Sequence, residues 1–426
     1  MADALDSKAF TREHSTRESA FTRTRQLPFK LLVCLLLNQI KGAMQRECCD
    51  FFEKALGQRV GDAVSAGAVS KARANLSGNV FRALNTMLTD CLSHSALGRS
   101  QWHCLQVFAV DGSILNLPNR PELRDHFQSD ANSAAGLPVQ ARLSVLHDAG
   151  SDIIYHSELL PFALDEGVGA AEHLPHTPPG SVTLYDRGYS AFTLFADHRH
   201  HQREFCARAR RGFNSEIDAF FEAQLPSNEI TLRPNAQAKA VCAEQGLSDA
   251  PIRVRLVRVL LSTGEVEVLI TSLLDQSRYP SQSFGALYAM RWSIETGYRF
   301  AKSRLQIENF SSLRVSGIYQ DVYAKLLVKN LVQVTKLAAQ QRLEQSDHQT
   351  PDRKYQRSVS FTDALHQGKH RIVAMILRPE GLANAVESLL ARVEKFTEAV
   401  RPDRASQPRR SSGPPKRFAM NAKATA

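Results

Sequence analysis

The sequence predicts an α/β protein: one sheet carries carboxylates at its strand ends, a second run of strands interrupts it, and helical segments flank both sides. Three observations lead there. Residues 103–210 hold five short apolar or alternating runs bounded by turn residues, and two of these runs close on an aspartate with a glycine just beyond. Residues 28–97 and 321–400 instead space their apolar positions as helices do. Between them, Ile252–Leu261 and Glu265–Leu274 alternate about the turn Ser262–Gly264.

In chain order, residues 1–25 are a polar arm ending in Arg23–Arg25. The apolar run Pro28–Ile40 is interrupted by Lys30 and Asn38 and is too short to span a bilayer, so it reads as a core helix. Arg46–Leu56 and Gly67–Leu92 continue the helical segment. In the latter, Ser70 and Ser77 can each cap a helix across a tight turn. This pair has two readings: a helix-turn-helix with Lys71, Arg73 and Arg82 facing phosphates, or plain amphipathic packing.

The strands expected next are Leu105–Val110, Ala141–His147, Ile153–Leu160, Val182–Tyr185 and Glu204–Arg210. Ala149–Asp152 joins the second and third as a hairpin, and a helix from Phe192 to about His200 links the last two. Arg253, Arg255 and Arg258 on the later strands read either as a solvated face or as a DNA contact. Beyond residue 321 the helix Val322–Gln340 carries Leu326, Leu327, Leu331, Val334 and Leu337 at near-heptad spacing. These suit the core or another subunit equally well. A second helix, Glu380–Phe396, follows. Residues 401–426 are rich in Pro, Ser and Arg and hold seven basic residues against Asp403, the composition of a disordered tail.

The formal charge of +10 over 426 residues favours a polyanionic partner. Much of that excess lies in the tail, so binding by the body must come from local patches. The seven cysteines show no zinc spacing and read as reduced, buried thiols of a cytoplasmic protein. His198–His201 has neither an acid nor a cysteine at ligand spacing and reads as a polar helix end rather than a metal site. There is no glycine-rich phosphate loop, so ATP use is not expected. A membrane partner is not expected either.

The chemistry concentrates in Tyr288–Lys302, YAMRWSIETGYRFAK. At about 100° per residue, Tyr288, Arg291, Glu295 and Lys302 fall within an arc of roughly 60°, with Trp292 and Arg299 beside them. Leu287, Met290, Ile294, Ala301 and Leu305 form the apolar back of the same helix. A carboxylate among basic and aromatic side chains suits an acid working beside a phosphate backbone. Asp111 in LQVFAVDGS and Asp186 in SVTLYDRGY supply two more carboxylates at strand ends. Three such acids make an oxygen-rich site for two hard cations, about 3.5–4 Å apart, that serve the attacking and leaving oxygens of an in-line displacement.

At these residues the chain resembles the DDE transposases of the insertion-sequence-4 family. Their Y-(2)-R-(3)-E-(6)-K signature reads here Tyr288, Arg291, Glu295, Lys302. Asp111 and Asp186 match the two aspartate motifs, and Trp292 matches the usual R-W pair. The resemblance spans about residues 30–310 and touches Pro415–Asn421.

It implies a ribonuclease-H-like catalytic domain with a β insertion and helical N- and C-terminal regions. The expected boundaries are a DNA-binding domain over 1–100, a catalytic domain over 101–320 with its insertion at about 212–283, a helical region over 321–400 and the tail. It further implies cleavage at transposon ends and strand transfer to target DNA. Asp111, Asp186 and Glu295 would hold two Mg2+ ions, with Mn2+ as substitute. Tyr288, Arg291, Lys302 and Arg299 would contact DNA phosphates, while Trp292 either packs beneath the site or stacks on a flipped base. The protein would act as a homodimer on DNA, in the cytoplasm of a bacterium at the nucleoid. Two other readings remain: a domesticated or inactive DNA-binding relative, and a metal-dependent nuclease that never transposes.

Overall fold

The computed structural model describes residues 1–22, 26–39, 42–95, 97–98, 101–129, 139–261, 264–292, 302–347 and 355–400. The chain divides into two compact units, one of residues 1–97, 115–140 and 300–426, the other of residues 98–114 and 141–299.

The second unit is built on a mixed sheet. Its strands are β1 (Gln101–Trp102), β2 (Leu105–Leu117), β3 (Val139–Asp148), β4 (Ile153–Pro161), β5 (Ser181–Tyr185), β6 (Glu204–Arg208), β7 (Ser227–Leu232), β8 (Ile252–Leu260) and β9 (Val266–Thr271). They lie in the order β4-β3-β2-β5-β6-β9-β8-β7, with β1 paired to β2. β3 and β4 are antiparallel, whereas β5 and β6 run parallel to β2. A meander of three strands followed by two parallel ones is the ribonuclease-H-like arrangement.

Local chemistry accounts for each element. Val107–Val110 are wholly buried, so β2 reads as a continuous apolar run because the sheet is covered on both faces. The β3–β4 turn is held by Asp148, whose Oδ1 accepts from the backbone N–H groups of Gly150 and Ser151, and Asp152 takes the left-handed conformation at φ 57°. The helix Phe192–His201 crosses from β5 to β6, and its C-cap Gln202 is left-handed. Inside it His198 is fully buried. One ring nitrogen sits 2.8 Å from the Tyr185 hydroxyl and burial pushes its pKa down to about 3, so His198 is a neutral core group.

Several expectations change here. β2 does not stop at Val110 but runs on to Leu117, so Asp111 lies within the strand. The segment between β6 and the signature helix is not all-β, because it contains the helices Ser215–Glu222 and Ala236–Glu244. Its strands extend the same sheet through the β6–β9 pair. Arg255 of β8 is neither solvated nor placed for DNA. It is fully buried and donates to the Tyr279 carbonyl and Ser281 Oγ. Cys91 and Cys104 are exposed rather than buried.

The first unit is helical. Its long helix Val315–Asp347 packs against Phe29–Asn38, Asn79–Ser93, Phe361–Leu377 and Leu382–Val393. Leu326 and Leu327 are buried in that packing. The expected helix pair exists as Ala66–Arg73 and Asn79–Ser93, with Ser65 rather than Ser70 capping the first. Arg73 does not face outward. It donates to Gln320, Ser311, the Gly317 carbonyl and Asp321, and it is 4% exposed. A desolvated guanidinium needs a full set of acceptors, and this helix together with Ser311 just before it supplies them. Arg82 is likewise engaged over the Tyr323 ring, and of the three cations expected to face phosphates only Lys71 is exposed.

No helix among the described residues is long and apolar enough to cross a membrane.

Candidate active site

Backbone geometry brings two of the predicted acids together. The β2–β5 ladder pairs Gln106 with Ser181 and continues to Ala109 with Leu184. Two residues further along each strand stand Asp111 and Asp186. Asp186 opens the short 3-10 turn Arg187–Tyr189, which ends β5 and leaves its side chain at the strand mouth.

The start of the signature helix is tied to the same place. Phe284, Leu287 and Tyr288 are buried in the helix Phe284–Ala289, which passes into a 3-10 turn at Met290–Trp292. The Tyr288 hydroxyl donates to the Tyr185 carbonyl at 3.3 Å, one residue before Asp186. The Arg291 guanidinium lies 5.7 Å from the centroid of the Tyr288 ring and is 4% exposed. Such burial differs from the open surface stripe that helical spacing alone suggests. Trp292 belongs to the 3-10 turn. Glu295 and Arg299 lie outside the described residues. Lys302 lies in the first unit with an exposed side chain.

The electrostatics suit a cation. Burial, reinforced by Glu166 and Asp186, pushes the Asp111 carboxyl up to about 6, against the opposing Gly112 N–H and the Arg291 charge. Gly112 donates to Asp111 Oδ1 at 2.9 Å. Asp186 Oδ1 is buried with no hydrogen-bond partner among the described residues. A buried carboxylate oxygen left without a donor is costly unless a cation or water fills its place. Hard oxygen donors of this kind fit a divalent cation such as Mg2+. Among the described residues no three ligating side chains converge as a complete metal site, and the third predicted acid, Glu295, lies outside them.

Three neighbours were not singled out in the sequence, although Tyr189 closes the SVTLYDRGY motif. Glu166 opens the helix Glu166–His173, where Asp165 caps the helix by accepting from Gly167 N–H. Its Oε1 lies 3.5 Å from where a Cβ on Gly112 would sit, and its Oε2 lies 3.6 Å from the equivalent point on Gly188. Arg142 of β3 donates to Oε1 at 2.6 Å. Tyr189, 2% exposed, turns its hydroxyl toward Gly112, where it finds no hydrogen-bond partner among the described residues. The Asp165 cap marks a helix start, but only the tertiary fold sets Glu166 beside the aspartates.

Residues 160–331 match the family described as "Transposase DDE domain", a span that includes Asp186 and the whole signature. The transposase InsG for insertion sequence element IS4 of Escherichia coli (strain K12) is 26% identical over 360 residues, covering 79% of this chain and 77% of its own. The putative transposase InsZ of the same organism is 36% identical over 92 residues, 21% of this chain and 30% of its own. Among solved structures, the piggyBac transposase synaptic complex with hairpin DNA aligns at TM-score 0.41 and 9% identity, covering 96% of this chain and 86% of that one. The fold assignment rests on the strand order. The chain thus carries a match to a transposase DDE domain over residues 160–331 and is similar along most of its length to an insertion-sequence-4 transposase.

Proposed function

We propose that this transposase cuts at the ends of its own element and joins the freed ends to a new site, with Asp111, Asp186 and Glu295 as its three acids. The observation that supports the reading is that Asp111 and Asp186 each follow the last pair of the β2–β5 ladder by two residues, with an Asp186 oxygen left without a hydrogen-bond partner among the described residues. Tyr288, bonded to the Tyr185 carbonyl, supports it, because the signature helix then starts beside the second aspartate.

In this reading Asp111, Asp186 and Glu295 would together hold two Mg2+ ions, with Mn2+ as a substitute. Bound there, two divalent cations would supply charge neutralisation at phosphorus and activation of the attacking oxygen. Arg291, Lys302 and Arg299 hold phosphates near the scissile bond, and Tyr288 orients Arg291 through its ring. The first strand is cut by water. The freed 3′-hydroxyl then attacks the opposite strand, as a hairpin, or the target. In-line displacement at phosphorus requires no covalent enzyme intermediate and no ATP.

The helical N-terminal segment recognises transposon ends, two protomers pair two ends, and the reaction takes place in the cytoplasm at the nucleoid. Asp111→Asn, Asp186→Asn and Glu295→Gln test the acids. Each should abolish cation-dependent cleavage of the cognate end while a gel shift still detects end binding. Cleavage at the wild-type rate by any one variant removes that residue from the site.

A further inference from the structure

We propose that Glu166 is a fourth acid of the cation site, a positioning residue that holds the hydration shell of the bound cation rather than the cation itself. The inference rests on the reading of Asp111 and Asp186 as the cation-holding pair.

Four observations carry it. The Glu166 carboxylate sits between the two glycines that follow the catalytic aspartates in sequence, with Oε1 toward Gly112 and Oε2 toward Gly188. Arg142 neutralises one side of it by bonding Oε1 at 2.6 Å, and it fixes the approach by donating to the Leu164 carbonyl at 3.1 Å. Oε2 is left to accept. The Tyr189 hydroxyl, almost wholly buried and without a hydrogen-bond partner among the described residues, is aimed at the same spot. A polar group buried in that way calls for a water or ligand within reach.

The donor arithmetic selects the outer role. Asp111, Asp186 and Glu166 do not converge as three direct ligands, and a carboxylate already bonded to arginine is a weakened ligand. Magnesium keeps several of its waters, and those waters are donors that need acceptors. Glu166 Oε2 accepts from them, and carboxylates that hold the partners of a bound metal in this way are typically worth about 10–100-fold in metal affinity.

Manganese binding to the intact protein, followed by the loss of the free-ion paramagnetic resonance signal, tests this without reference to activity. Glu166→Gln should weaken binding about tenfold, and Glu166→Asp should recover part of the loss. Arg142→Gln should act in the opposite direction and tighten binding, because it returns a full negative charge to Glu166. A salt bridge that only braces the fold would make Glu166→Gln and Arg142→Gln weaken binding alike, and that result overturns the proposal. Unchanged binding in Glu166→Gln overturns it equally. Should Glu166→Gln fail to fold, the direction of change in Arg142→Gln decides. Asp111→Asn separates this from the underlying reading: wild-type binding there sinks the site itself, whereas lost binding there with unchanged Glu166→Gln sinks only the role of Glu166.

Discussion

Asp111 and Asp186 each lie two residues beyond the same pair of a parallel ladder. That ladder pairs Ala109 with Leu184; Asp111 follows within β2, and Asp186 follows just past the end of β5. Adjacent strands are about 4.8 Å apart, so the backbone alone presents two carboxylates side by side. Water is partly excluded there, and nearby negative charge disfavours ionisation of Asp111. Burial and the nearby acids accordingly raise Asp111 to about 6. A divalent cation would relieve that repulsion, which is what the proposed site requires.

The raised Asp111 pKa sets a pH dependence. A proton and a cation compete for the same carboxylate, so cation affinity should fall as pH drops through about 6. For the cation-free protein the sign is opposite. Native Asp111 keeps its proton up to about pH 6, while an unfolded aspartate gives it up near the ordinary value of 3.8. The native state therefore binds more protons within that window, and this group's contribution to stability declines as pH rises through it. Melts in chelator across about pH 4–7 and manganese titrations across about pH 5–8 check the two signs. A cation affinity that stays flat over that range would exclude Asp111 as a ligand.

Arg291 and Lys302 should separate in a salt and pH series. Each contact with phosphate contributes about one unit to the log–log salt slope, so Arg291→Ala and Lys302→Ala should each flatten the salt dependence of cleavage by that amount. Arg291 also lowers the Asp111 pKa by its charge. Its removal should therefore move the pH midpoint of cation binding upward, and Lys302→Ala should leave that midpoint in place. Identical pH behaviour in the two variants would show that Arg291 acts on DNA alone.

Asp111 and Asp186 stood out in the sequence because each combines two local signals, a buried strand and a following glycine. The reach of β2 past Asp111 did not. Gly112 and Ser113 read as a turn, yet pairing within the sheet carries the strand on to Leu117. Arg73 and Arg255 were misread for a common reason: an arginine in a polar stretch looks solvated until its acceptors are known, and here those come from far along the chain. Asp321 is 248 residues from Arg73, and no spacing rule reaches so far. Glu166 was hidden in the same way, since its neighbours Gly112 and Gly188 belong to a strand and a turn far from its helix in sequence.

Arg73 should matter for stability rather than for charge on DNA. Its removal leaves Asp321 buried without its guanidinium, a change that typically costs about 3–5 kcal/mol. Burial alone would raise the Asp321 pKa, but Arg73, Lys325 and the Ser311 bonds outweigh it and hold it below the ordinary carboxylate range. The stability contributed by this pair is thus present above that range and lost as pH falls beneath it. Urea denaturation of Arg73→Ala near neutral pH should show the loss. A change under about 1 kcal/mol, the range of an exposed pair, would mean that the network is solvated in solution.

Assembly should depend on DNA. Paired cutting needs two active sites on two ends, yet the helix best suited to subunit pairing is largely used within its own unit. Leu326 is 4% exposed and Leu327 wholly buried, while Leu331, Val334 and Leu337 are half-buried along Val315–Asp347. That leaves little apolar surface on this helix to hold two free protomers together. The protein should therefore scatter light as a monomer when free and as two protomers once paired ends are supplied. Cutting in trans would have a second signature. Glu295→Ala protein mixed with a variant defective in end binding should recover part of the cleavage that neither shows alone, because the end held by one protomer is cut by its partner. A complex whose mass stays at one protein per DNA end throughout active cleavage, with the ends never paired, would sink the dimer.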